Sequence, residues 1–285
     1  MKRREFIALA SGASVAWPLA ARAQQPMPVI GYLGSASADA WADRLKAFRE
    51  GLGQAGFVDG RNVRIEYRWA DNQYGRLPAL AAELVNRNVS VIVTPASAPA
   101  SLAAQAATKT IPIVFETGAD PVTIGLVASL NRPGANITGV TASSFALGPK
   151  RLEILREALP SAKLIAALVN SAAGDIAERQ KQDLQAAART MGLELLMLHA
   201  GADGDLDPAF STLIQQHAGG LVVIPEVFSN SRREQIAALA LRHAVPAIFQ
   251  SHEFAAAGGL MSYGGDIAET HRLAGNYAGR ILKGE

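Results

Sequence analysis

Cysteine is absent from the chain. Its absence excludes disulfides, cysteine-ligated zinc and a lipid anchor attached to a cysteine behind a cleavage site. Aromatic residues are few, at 6%, and the abundant alanine and glycine favour helices lying close on a sheet. The apolar stretch Ile7 to Ala20 is broken by Ser11, Gly12, Ser14 and Pro18 and falls short of the roughly 20 residues that cross a bilayer. The five histidines show no HxH or HExxH spacing, and the chain has no Gly-x-Ser-x-Gly elbow and no phosphate loop. No catalytic residue, metal site or cofactor is expected.

What is present begins with Arg3-Arg4-Glu5-Phe6-Ile7, followed by that apolar stretch and by the small-x-small site Ala21-Arg22-Ala23. A basic region, an apolar region and a cleavage site in this order read as an export signal over residues 1–23, cut after Ala23. The paired arginines resemble the twin-arginine signal, although a general secretory signal also opens with basic residues. The sequence pI of about 9.0 suggests a nucleic-acid binder, but the signal removes Lys2, Arg3, Arg4 and Arg22 and only one acid, Glu5. The remainder holds 23 basic and 24 acidic residues, a net charge of −1, with no Lys/Arg cluster. Nucleic acid is therefore not an expected partner.

From Pro28 onward, short Val/Ile runs alternate with segments of helical period, the pattern of parallel βαβ units. Strands are expected at 28–33, 63–69, 89–93, 111–115 and 137–143, then at 164–169, 193–198, 221–224 and 247–249. Helices fall between them, including one over 122–130. Val63, Ile65, Tyr67 and Trp69 alternate with polar residues, which marks an edge strand with one wet face. The series restarts after Asn131-Arg132-Pro133-Gly134, so the economical reading is α/β, with two Rossmann-like lobes of parallel sheet flanked by helices and a ligand cleft between them. A single sheet of about nine strands is the alternative.

Gly51-Leu52-Gly53-Gln54-Ala55-Gly56 matches the dinucleotide-binding spacing. It follows a helix instead of opening one, so it is read as a helix end, where the dipole repels phosphate. Trp41 is in phase with Leu45 and Phe48 as a packing residue, or else stacks on a ligand from the loop after the first strand. Tyr263, between Gly258-Gly259 and Gly264-Gly265, either closes over a ligand or packs a hinge.

These residues together resemble one family. Pro28-Val29-Ile30-Gly31-Tyr32-Leu33-Gly34, Ala119-Asp120-Pro121-Val122, the segment Gly125 to Val140, Ala257 to Gly264 and Gly279 to Gly284 look like the substrate-binding proteins of ABC importers. The match is to the type I periplasmic-binding-protein fold with amino-acid-like or aromatic ligands, and it covers nearly all of 27–285. The resemblance implies a monomer that closes like a hinge on a small-molecule ligand in the periplasm and presents it to an ABC permease of the inner membrane. It implies an N-terminal lobe of 27–140 plus 263–285 and a C-terminal lobe of 141–262. Relatives continue past Lys283-Gly284-Glu285 with a tail that forms a third crossover, so either this is a fragment or that strut is missing.

Carried onto this sequence, the family's pocket falls at Ser35, Thr94, Ser97, Thr117, Asp120 and Thr141 from the first lobe and its crossover, and at Asn170, Glu226 and Tyr263 from the second. Hydroxyls and helix N–H groups suit a carboxylate, and Glu226 or Asp120 suits an ammonium. With Trp41, these are the expected ligand-binding residues. The rival readings are an exported α/β hydrolase-type enzyme, which lacks a nucleophile with a base in reach, and a periplasmic sensor domain.

Overall fold

The computed structural model describes residues 27–285. The export signal read over 1–23 lies outside the described residues. Two five-stranded sheets, all parallel, form the frame. The first runs β2-β1-β3-β4-β5, from β1 (Val29–Gly34), β2 (Arg64–Trp69), β3 (Val91–Thr94), β4 (Ile113–Thr117) and β5 (Ile137–Thr141). The second runs β10-β9-β8-β6-β7, from β6 (Leu164–Val169), β7 (Glu194–His199), β8 (Leu221–Val223), β9 (Ala247–Phe249) and β10 (Met261–Ser262). Continuous apolar runs such as Ile165-Ala166-Ala167-Leu168-Val169 fit strands covered by helices on both faces. The alternating strand β2 lies at an edge, where Glu66 joins Arg64 and Arg87 on the wet side.

Helices complete each layer. In the first lobe α1 (Ala42–Gln54), α2 (Leu77–Asn86) and α3 (Ala98–Ala107) cover the sheet; in the second, α4 (Gly148–Ala158), α5 (Asp175–Met191), α6 (Leu206–Gln215), the short α7 (Val227–Ser231), α8 (Arg233–Arg242) and α9 (His252–Ala256) do so. The last helix, α10 (Ile267–Leu282), returns to the first sheet, where Ala274 and Ala278 join Ile30, Phe48 and Val114 in one apolar cluster. Gly51 makes this close approach possible: a Cβ there would overlap the carbonyl oxygen of Arg272. The dinucleotide-like glycines thus end α1 and admit α10, and Gly56 leaves the helix at φ +86°.

Two segments depart from the sequence reading. The expected helix over 122–130 is a single turn. Asp120 accepts from the Val122 N–H and the Thr123 hydroxyl, Pro121 O accepts from Leu126 N, and Gly125 leaves the turn at φ +75°. Leu126 and Val127 then bend back into the core, which a continued helix could not allow. Met261–Ser262, which lies outside the expected strands, pairs with β9 as a fifth strand.

The chain crosses between the sheets after β5 and after β10, and Arg151 of α4 holds both crossings. Its Nε donates to Tyr263 O and its Nη2 to Ser144 O, each at 2.8 Å. The side chain is fully buried, and desolvation lowers the guanidinium pKa to about 10. We expect Arg151→Met to lower stability by about 2 kcal/mol, because two carbonyls lose their donors. Urea unfolding checks this, and a variant as stable as the parent would contradict it.

Candidate functional site

The carboxyl ends of the two sheets face each other, as open parallel sheets require of a ligand site. Between them lies a cleft of about 680 Å³, counting the part open to solvent. The first lobe contributes the end of β4 and the start of α3, the second contributes the β8–α7 turn and Gln250 after β9, and the crossings contribute Phe145 and Gly265. Phe145, Ile176 and Pro225 give it an apolar wall.

Three of the expected residues, Ser97, Thr117 and Glu226, line this cleft. Ser97 caps α3 by accepting from Ala100 N, and its hydroxyl lies 2.5 Å from that of Ser35. Ser35 is thus a buried support beneath Ser97. Thr94 is farther back and fully buried, paired at 2.8 Å with Ser101, whose hydroxyl donates to Ser97 O. Asn170 supports Glu226, donating to its Oε2 at 3.1 Å.

The other four lie outside the cleft lining. Trp41 is buried against Ala36 and Val227, with the Arg44 guanidinium 4.6 Å above its ring and His271 5.3 Å away. Asp120 is exposed and occupied as the cap of its turn. Thr141 donates to Ala119 O and accepts from Ser143 N, fixing the first crossing, and Ala142 beside it reaches the cleft. Tyr263 has an exposed ring, and its backbone serves the Arg151 contact.

Within the cleft lining, Glu226 carries the clearest electrostatic signature. It caps α7, accepting from Phe228 N at 2.6 Å. A helix N-terminus favours a carboxylate, yet burial outweighs these N–H groups and pushes the carboxyl up to about 7. Near neutral pH it is poised to ionise when a cation arrives.

Glu116, Asn230, Gln250 and Thr270, which are not among the expected ligand-binding residues, also line the cleft. Glu116 stands one place before Thr117 at the end of β4 and is 2% exposed. A lone carboxylate interrupting the buried run Ile113-Val114-Phe115 is a signal the sequence does contain. Asn230 and Gln250 come together only in the fold, where Gln250 Nε2 donates to Asn230 Oδ1 at 2.8 Å.

A family model described as ABC transporter substrate binding protein matches residues 30–285. The chain belongs to that family. Accordingly it is a substrate-binding protein of an ABC transporter and not an enzyme. This substrate-binding protein is 28% identical over 240 residues to a tyrosine-binding protein of Clostridioides difficile (strain R20291), covering 84% of this chain and 68% of that protein. Its fold is shared with a conserved domain protein of Vibrio cholerae, at a TM-score of 0.80 and 24% identity over 91% of this chain and 86% of the other. It is also shared with a Streptococcus pneumonia ABC domain in complex with L-Trp, at a TM-score of 0.77 and 22% identity with the same coverage. The two parallel sheets are those of a type I periplasmic binding protein.

Proposed function

We propose that this substrate-binding protein captures an amino acid in the cleft, with its ammonium at Glu226, its carboxylate near Ser97 and Thr117 at the start of α3, and its side chain against Phe145, Ile176 and Pro225. The observation that carries this reading is a buried carboxylate poised near pH 7 in a cleft whose lining, among the described residues, includes no lysine or arginine. An anion such as phosphate would find no cationic side chain there. The relatives named for tyrosine and bound to L-Trp support the same class. In this proposal the export signal is removed after Ala23, the protein works as a periplasmic monomer, and 27–140 with 263–285 closes on 141–262 as a hinge. The closed form then delivers the solute to an ABC permease in the inner membrane.

Calorimetry with L-tyrosine and L-tryptophan across about pH 5 to about pH 8 tests the reading. An ammonium binds the ionised form of Glu226 and lowers its pKa, so binding below about 7 must release a proton. Affinity should therefore be level above about pH 7 and fall by up to about tenfold per pH unit below it. No binding of any amino acid, or an affinity flat over the whole range, contradicts the assignment.

A further inference from the structure

The cleft holds more hydrogen-bond acceptors than one ammonium uses. Glu116 Oε1 is occupied: Thr270 Oγ1 donates to it, and His271 Nδ1 lies 3.0 Å away. His271 Nδ1 also lies 2.9 Å from Ile267 O, so with an acceptor on each side this nitrogen carries the proton. Glu116 Oε2, by contrast, is buried without a partner among the described residues. Gln250 repeats the pattern from the second lobe. Its Nε2 is committed to Asn230, while its Oε1 is buried without a partner among the described residues, and the residue is 2% exposed. Both residues line the same cleft as Glu226.

Buried acceptors without donors are uncommon in folded proteins because each forfeits its hydration. Two of them, one from each lobe and both in a ligand cleft, mark where ligand donors belong. We propose that Glu116 and Gln250 recognise a second donor group on the solute. It then carries, besides its α-ammonium at Glu226, a side chain bearing an N–H or O–H donor: a phenol, an indole or an amine, and not a plain hydrocarbon. This rests on the amino-acid reading of the cleft. Closing the lobes brings Glu116 and Gln250 to the same solute, so the second donor selects the ligand and also helps to hold the closed form.

Calorimetry on the protein with L-tyrosine, L-tryptophan, L-lysine and L-phenylalanine tests the proposal without any variant. Phenylalanine is the tyrosine skeleton without the donor, and a site built to hydrogen-bond a substrate group rejects the analogue lacking it. At least one donor-bearing amino acid should bind about 100-fold more tightly than phenylalanine. Glu116→Gln keeps an acceptor for Thr270 and His271 but places an amide N–H where Oε2 stood. It should reduce that preference to about threefold or less, measured as the ratio of the two affinities in the same variant. Phenylalanine binding as tightly as the best of the others overturns the second-donor proposal and leaves the amino-acid reading intact. A preference that survives Glu116→Gln removes Glu116 from the recognition. Failure of all four amino acids to bind removes the amino-acid reading and this proposal with it.

Discussion

Glu226→Gln should weaken amino-acid binding about 100-fold at neutral pH and above. The substitution keeps the shape of the side chain and an oxygen for Phe228 N, so what it removes is charge. Truncating one partner of a buried, hydrogen-bonded charge pair typically costs about 2–5 kcal/mol, and 3 kcal/mol corresponds to roughly a hundredfold. The ligand-free protein should respond in the opposite direction. With the folded carboxyl at about 7 against an ordinary 4.5, the folded state holds its proton more tightly than the unfolded state does. Stability is thus full below pH 4.5 and declines as pH rises through about 7, by about 3 kcal/mol in all. Glu226→Gln abolishes this decline, so the variant should melt at a higher temperature than the parent at about pH 8 while binding far less tightly. Thermal melts and calorimetry on the same samples separate the two effects. Lower stability together with lower affinity would mean that Glu226 serves only as the cap of α7.

The frame was legible in the sequence because periodicity and β-branched runs report burial directly. β9 was placed residue for residue at Ala247–Phe249, and the alternation of 63–69 marked β2 as an edge. The segment 122–130 misled because its apolar residues suit a helix, while Gly125 and the Asp120 cap settle the backbone locally. Of the expected ligand-binding residues, those in the short turns between a strand and the next helix are the ones that line the cleft most directly: Ser97 caps α3 and Glu226 caps α7. Glu116 escaped because it sits inside a strand, where attention to loops passes over it. Asp120 was drawn in by the family's motif, yet its side chain closes a turn. Ser35, Thr94 and Asn170 lie behind the cleft lining, and a sequence cannot say which of two hydroxyls 2.5 Å apart is the one at the cleft. Asn230 with Gln250 and Glu116 with Thr270 are pairings across 20 and 154 residues, and no local pattern encodes them.

Gly275→Val should cost more than 3 kcal/mol and perturb the cleft from a distance. A Cβ at Gly275 would overlap Phe48 O and stand 2.9 Å from Leu52 N and 3.0 Å from Phe48 C. These are backbone atoms of α1, so no side chain can turn aside, and the two helices must separate. Overpacking a core typically costs about 1–3 kcal/mol, and here the separation also strips Ala274 and Ala278 from Ile30, Phe48 and Val114. Gly51 presses on α10 from the other side, against Arg272 O, which leaves no register in which the larger residue fits. The helix that must move carries Thr270 and His271, both in contact with Glu116. Any folded Gly275→Val should therefore bind amino acids less tightly although the substitution is remote from the cleft. Gly53→Ala is the control. A Cβ there meets nothing within 4 Å, so the better helix former should be neutral or stabilise by up to about 1 kcal/mol. Urea unfolding of both variants decides the matter: if Gly275→Val remains within about 1 kcal/mol of the parent, the contact between α1 and α10 is not the close backbone packing described.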